Sequence, residues 1–90
     1  MEVFLGGIYI IKNNINNKVY IGLSKNLNNR IKQHKNRLLN NSHKNTHLQS
    51  AFNKYGINNF KVEIIELTEV SSLIEREQFY LDTLLFFQLR

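Results

Sequence analysis

Ninety residues make one domain, because compact folding units begin at about 50 residues and two would not fit. Hydrophobic residues are 42% and charged residues 21%, a globular composition. Cysteine is absent, which excludes a disulfide scaffold and a thiolate zinc finger, and no apolar stretch is long enough to cross a membrane. The first residues lack the basic-then-apolar pattern of a signal peptide, so a single intracellular domain over residues 1–90 is expected.

Gly7-Ile8-Tyr9-Ile10-Ile11-Lys12 is rich in β-branched and aromatic residues and predicts a strand. The asparagine-rich segment 13–17 follows, and asparagine favours turns because it tolerates left-handed backbone. Lys18-Val19-Tyr20-Ile21-Gly22 predicts the second strand of a hairpin. With the loop at residues 13–16, Tyr9 sits opposite Tyr20 on one face, while Ile8, Ile10, Val19 and Ile21 share the other. Ser24 to Asn26 offer helix caps, and Leu27, Ile31, His34 and Leu38 recur at spacings of 4, 3 and 4, a helical stripe. Arg30, His34 and Arg37 lie along a neighbouring line of that helix.

A polar loop with Ser42 and His43 leads to a second helix near Thr46, striped by Leu48, Ala51, Phe52 and Tyr55 and stopped by Gly56. Phe60, Val62 and Ile64 alternate with Lys61 and Glu63 and predict a third strand. Ser72-Leu73-Ile74-Glu75 has the form of a capping box, opening a helix to about Phe86. The order is β-β-α-α-β-α. It predicts an α/β domain with a small three-stranded, mainly antiparallel sheet flanked by helices.

The net charge is +5, and its distribution carries more information than its size. No Asp or Glu occurs from Val3 to Val62, where eight Lys and two Arg fall; from Glu63 to Asp82 there are six acids against Arg76 alone. A basic block beside an acidic one suggests a polyanion such as nucleic acid, although a solvated cationic face has the same pattern.

One residue resists a structural explanation. The last helix has an apolar stripe of Leu73, Ile74, Tyr80, Leu81 and Leu84, and Glu77 lies in the middle of it. A carboxylate there is costly unless a cation or hydrogen-bond donors meet it. A Mg²⁺ ion would supply the cation. A buried ion pair with Arg30 or a lysine, or a helix turned to bring Glu77 to solvent, would serve as well. Tyr9 and Tyr20 fit core-edge strand aromatics, Arg30 a surface helix position and His34 a hydrogen-bonded packing residue. His43 and His47, four apart, could ligate zinc only if both were helical and a third ligand were near.

Gly7-Ile8-Tyr9 and Tyr20-Ile21-Gly22, with ten residues between the tyrosines, resemble the pair of tripeptides for which the GIY-YIG nuclease family is named. Arg30, then His34 in an Arg-x-x-x-His pattern, His43 before a Leu-Gln…Phe-Asn-Lys helix, and Glu75-Arg76-Glu77 follow at the family's distances. The resemblance covers about residues 6–84 and is greatest to catalytic domains of phage and intron-type homing endonucleases. It implies hydrolysis of DNA phosphodiesters with one divalent metal, Mg²⁺, for which Mn²⁺ can substitute. It also implies Glu77 as the metal ligand, Arg30 on the scissile phosphate, Tyr9 at the attacking water with Tyr20 nearby, His43 in proton transfer and His34 in support. Family members of this type often carry a further asparagine after the last helix. The homing enzymes continue into a separate DNA-recognition domain. Neither has a counterpart in residues 84–90, so weak, salt-dependent and nearly nonspecific DNA binding is expected of this chain, with a recognition domain or protein supplied separately. A non-cleaving nucleic-acid-binding module is the alternative.

Overall fold

The computed structural model describes the backbone of residues 5–88 and the side chains of residues 5–83. Strands β1 (Leu5–Asn13) and β2 (Val19–Ser24) form the hairpin; helices α1 (Leu27–Leu39) and α2 (Thr46–Tyr55) follow, then β3 (Phe60–Glu69) and α3 (Leu73–Gln88). The sheet is antiparallel with strand order β2-β1-β3, so the first strand is central. Element order and fold class are those predicted.

The helix ends follow their local chemistry. Asn26 caps α1 by accepting from the Asn29 N–H, and Asn45 caps α2 by accepting from the Leu48 N–H. Gly56 ends α2 at φ 83°, a conformation costly for any residue with a Cβ. The capping box at Ser72 does not form among the described residues. Instead the chain enters α3 through a 3₁₀ turn, Val70–Ser72, whose Val70 carbonyl accepts from the Leu73 N–H.

The hairpin departs from its predicted register by two residues. Tyr9 pairs with Gly22 and Ile11 with Tyr20, so the two tyrosines are not opposite each other. The loop keeps its four-residue length but is moved one position along, with the Asn13 N–H donating to the Lys18 carbonyl at 2.9 Å. Asn17 takes the left-handed conformation there, at φ 62°. The Asn13 side chain, buried in the sheet, accepts from the Ile15 N–H at 2.9 Å. Because the shift is even, both tyrosines remain on one face.

The register has a steric consequence at Gly22. A Cβ there would lie 2.3 Å from the Tyr9 ring and hydroxyl, so the ring lies directly on the bare backbone of β2. Tyr9, Ile11, Leu38 and Leu48 form the buried cluster on this face, with Tyr20, Leu27, Phe52 and Phe60 packed against it. Val62 and Ile64, the inner side of the predicted third strand, share this face but stay 40% and 49% exposed, because α1 bears on β1 and β2 more than on β3.

The opposite face carries α3. Leu73 is buried against it, within reach of Gly6, while Ile74 and Leu81, both predicted in the apolar stripe, are 78% and 39% exposed. Leu84 falls outside the described side chains. Between β1 and β3 the register changes, Tyr9 pairing with Ile64 and Ile8 with Glu66, so Ile65 is the extra residue of a bulge. The bulge turns Glu66 to the α3 side. There it receives a two-pronged bond from Arg76, both contacts 2.7 Å, and a third from the Tyr80 hydroxyl at 2.9 Å. Arg76 also lies over the Phe79 ring.

The packing of Tyr9 on Gly22 predicts that Gly22→Ala destabilises the domain by about 1–3 kcal/mol, the range for overpacking a filled site. Urea denaturation checks it; an unchanged midpoint would mean that the ring moves aside freely.

Candidate active site

The site begins with the ring that Gly22 accommodates. Tyr9 is 4% exposed, and its hydroxyl is 2.5 Å from His34 Nε2. His34 projects from the middle of α1, and its Nδ1 is 2.7 Å from His43 Nε2, in the loop before α2. The two imidazoles stack, with centroids 4.9 Å apart. His43 is held from two sides. The Asn45 N–H donates to its Nδ1 at 3.0 Å, and its own N–H donates to Gln49 Oε1 at 3.1 Å.

The direction of this chain follows from its only invariable donor. A backbone N–H cannot accept, so His43 Nδ1 is the unprotonated nitrogen of a neutral ring and Nε2 carries the hydrogen. His43 therefore donates to His34 Nδ1, which leaves His34 Nε2 as the donor to Tyr9. Neutral rings are favoured here. Burial, reinforced by His43, Arg30 and Arg37, lowers the His34 pKa to about 4. Burial and then Arg37 lower that of His43. Tyr9 thus accepts a hydrogen bond, and its own proton is not engaged by any described residue.

Arg30 lies one turn before His34 on α1, exposed and outside both ion pairs of the described residues. Its charge acts on Tyr9 and on His34. Tyr9, Tyr20, Arg30, His34 and His43 line a single cleft of about 230 Å³, together with Arg37 and Lys44. Among the described residues no carboxylate lines it. Tyr20 is partly buried, which raises its pKa.

Glu77 comes from the other face of the sheet. It is not a wall of the cleft, yet its charge reaches Tyr9. Burial raises its pKa, and it forms neither an ion pair nor a side-chain hydrogen bond with any described residue. An ion pair with Arg30 or a lysine is therefore not what holds it. The neighbouring Arg76 is committed to Glu66.

A half-buried carboxylate without a protein cation suits a hard divalent ion. No group of three His, Cys, Asp or Glu that could hold a metal occurs among the described residues, so Glu77 alone would contribute, with water and substrate oxygens as further ligands. Zinc at His43 and His47 is not formed: the nitrogens of His43 are taken by Asn45 and His34, and His47 lines a different groove. The Tyr9 pKa lies above that of a free phenol. Burial raises it, Arg30 opposes that, and Glu77 adds to it. A cation on Glu77 would cancel the last contribution.

Gln49 and Asn53 enter the sequence pattern only as part of the helix after His43, with no role of their own there. Gln49 is buried, and its Nε2 donates to the Leu38 carbonyl at 3.1 Å and to Asn53 Oδ1 at 2.9 Å. It ties the end of α1 to the His43 loop. Its signal in the sequence is faint, an amide beside Leu48 on the inner side of α2.

The family model of the GIY-YIG catalytic domain matches residues 5–89. The chain is 44% identical over 80 residues to an intron-associated endonuclease of Enterobacteria phage T4, covering 87% of this chain and 32% of that protein. It is 41% identical over 69 residues to a probable intron-encoded endonuclease of Neurospora crassa, covering 77% and 21%. The solved catalytic domain of homing endonuclease I-TevI superposes with a TM-score of 0.79 at 41% identity, over 87% of this chain and 86% of that one. The chain thus spans about a third and a fifth of the length of the two curated relatives. Among the described residues no helix is long and apolar enough to cross a membrane.

Two outcomes are expected. Nitrogen-15 spectra of labelled histidines show His34 and His43 both protonated at Nε2; an Nδ1–H form of either ring would reverse the chain. Stability conferred by neutral His34 is complete above its unfolded pKa near 6.5 and is lost as pH falls towards about 4, since the unfolded ring takes up a proton first. Discounted for a half-exposed ring, the loss is roughly 1–2 kcal/mol. The urea midpoint of His34→Asn should therefore fall less than that of the wild type between pH 7 and 4.5.

Proposed function

The chain belongs to the GIY-YIG catalytic-domain family, and we propose that it is the catalytic domain of a divalent-metal-dependent DNA endonuclease of the homing, mobile-element type. The observation that carries the metal requirement is Glu77, a half-buried carboxylate whose field reaches Tyr9 and which no cation of the described residues neutralises. Mg²⁺, or Mn²⁺ in its place, held by Glu77 would neutralise phosphate charge and lower the pKa of nearby acids.

The chain's own residues divide the remaining work. Arg30, exposed at the cleft, binds the scissile phosphate and stabilises the charge that builds on it. Tyr9 Oη takes the proton of the attacking water, whose oxygen bonds to phosphorus as the bond to the leaving sugar oxygen breaks. The His34 Nε2–H already directed at that oxygen favours the phenolate this requires. His43 keeps His34 in the donating tautomer, and Tyr20 adds a second hydroxyl at the cleft. Target choice is assigned to a separate recognition domain or protein, in keeping with the share of its relatives that this chain spans.

Nicking of supercoiled plasmid at low salt tests the reading. Mg²⁺ or Mn²⁺ should support nicking and EDTA abolish it. Arg30→Ala should slow it by about 10²–10³-fold, the usual effect of losing one charge-stabilising donor. Glu77→Gln should abolish the metal response while leaving the denaturation midpoint close to that of wild type. Nicking at the wild-type rate in either variant would refute the assignment. Retarded plasmid with no nicking under any condition would instead indicate a binding module.

A further inference from the structure

A second and larger depression adjoins the active-site cleft, between the β1–β2 loop and α2. It measures about 600 Å³, and Lys18, Tyr20, His47, Lys54 and Tyr55 are among its walls. Tyr20 and Asn45 line both depressions, so the two are neighbours. From this we infer that the groove is a strand-binding subsite, seating DNA backbone that flanks the scissile phosphate. The inference rests on the nuclease reading above and adds to it the path of the substrate.

Charge and shape support this occupant. No carboxylate lines the groove, and every described acid lies from Glu63 onward, on β3 or α3. Lys18 and Lys54 are exposed and take part in neither ion pair of the described residues. Lys54 rests over the Tyr55 ring, 5.1 Å from its centroid, so cation and aromatic face are presented together. Sequence-tolerant strand binding combines a cationic track with ring faces for bases, and both are found here. The walls are also preformed. The Lys18 N–H donates to Asn16 Oδ1 at 3.0 Å in the hairpin loop, and the Asn45 side chain caps α2 on the other side. The shared Asn45 joins the groove to the catalytic chain, since its N–H orients His43.

The test compares two double variants of equal net charge. Lys18→Ala/Lys54→Ala removes the groove cations; Lys32→Ala/Lys61→Ala removes two from α1 and β3. Binding of a fluorescent duplex is measured by anisotropy from 50 to 200 mM salt. The groove variant should bind about tenfold more weakly at low salt, and its slope of log K against log salt should fall by roughly 1.8, two phosphate contacts at about 0.9 each. The control should keep a slope near that of wild type. Equal losses in the two variants would overturn the subsite while leaving a working nuclease in place. A wild-type protein that neither binds nor nicks DNA would overturn both readings. Amide shifts on titration with oligothymidylate give a further check: they should concentrate on residues 16–20 and 50–55, and shifts confined to α3 would also overturn it.

Discussion

The contact between the Tyr9 ring and the backbone at Gly22 is the constraint on which the site depends. It exists only in the observed hairpin register, and it admits no side chain on β2 at that position. Once the ring is seated, its hydroxyl is directed at α1, where His34 meets it. A shift of two residues would leave the same face buried, since the pleat repeats every two, yet it would set the ring against a different side chain. The apolar pattern alone therefore does not choose the register. The loop does, through the left-handed Asn17 and the buried Asn13 side chain.

A second constraint acts from the far side of the sheet. The bulge at Ile65 gives Glu66 to the α3 face, and Glu66 absorbs Arg76 and Tyr80. The arginine holds the Glu66 carboxyl below the usual carboxylate range, with a smaller contribution from the tyrosine. Glu77, one residue on, has no such partner among the described residues. Two adjacent residues on one helix thus have opposite electrostatic fates, one neutralised within the fold and one left unpaired there. Desolvation without compensation is tolerable at a half-buried position and costly at a full one, which fits the intermediate depth of Glu77.

The charges of the cleft are of one sign. Arg30, Arg37 and Lys44 crowd it, with no acid among the described lining residues, and a bound phosphate would relieve their mutual repulsion. Burial, with Arg30 and Arg37 at His34 and Arg37 at His43, keeps the two histidines neutral, which lets a backbone N–H at Asn45 dictate the sense of every bond back to Tyr9. Gln49 supports this from beneath by holding the end of α1 and the His43 loop together. Proton position in the site is therefore a product of main-chain geometry two elements away.

The sequence alone determined the element order, the cap within Ser24 to Asn26, the stop at Gly56 and the anomaly of Glu77, because each is written in residues close along the chain. The paired tripeptides and the residues that follow them also named the family. The hairpin register, the bulge, the commitment of Arg76 and the bond network of Gln49 were not legible there. Ile74 shows why: its spacing places it beside Leu73 on a helical stripe, yet only the position of the sheet decides which of the two is covered. Spacing along a chain records which side chains share a face. Tertiary structure alone settles which partner that face meets, and with it whether a charge is paired, a histidine neutral or a tyrosine hydroxyl an acceptor.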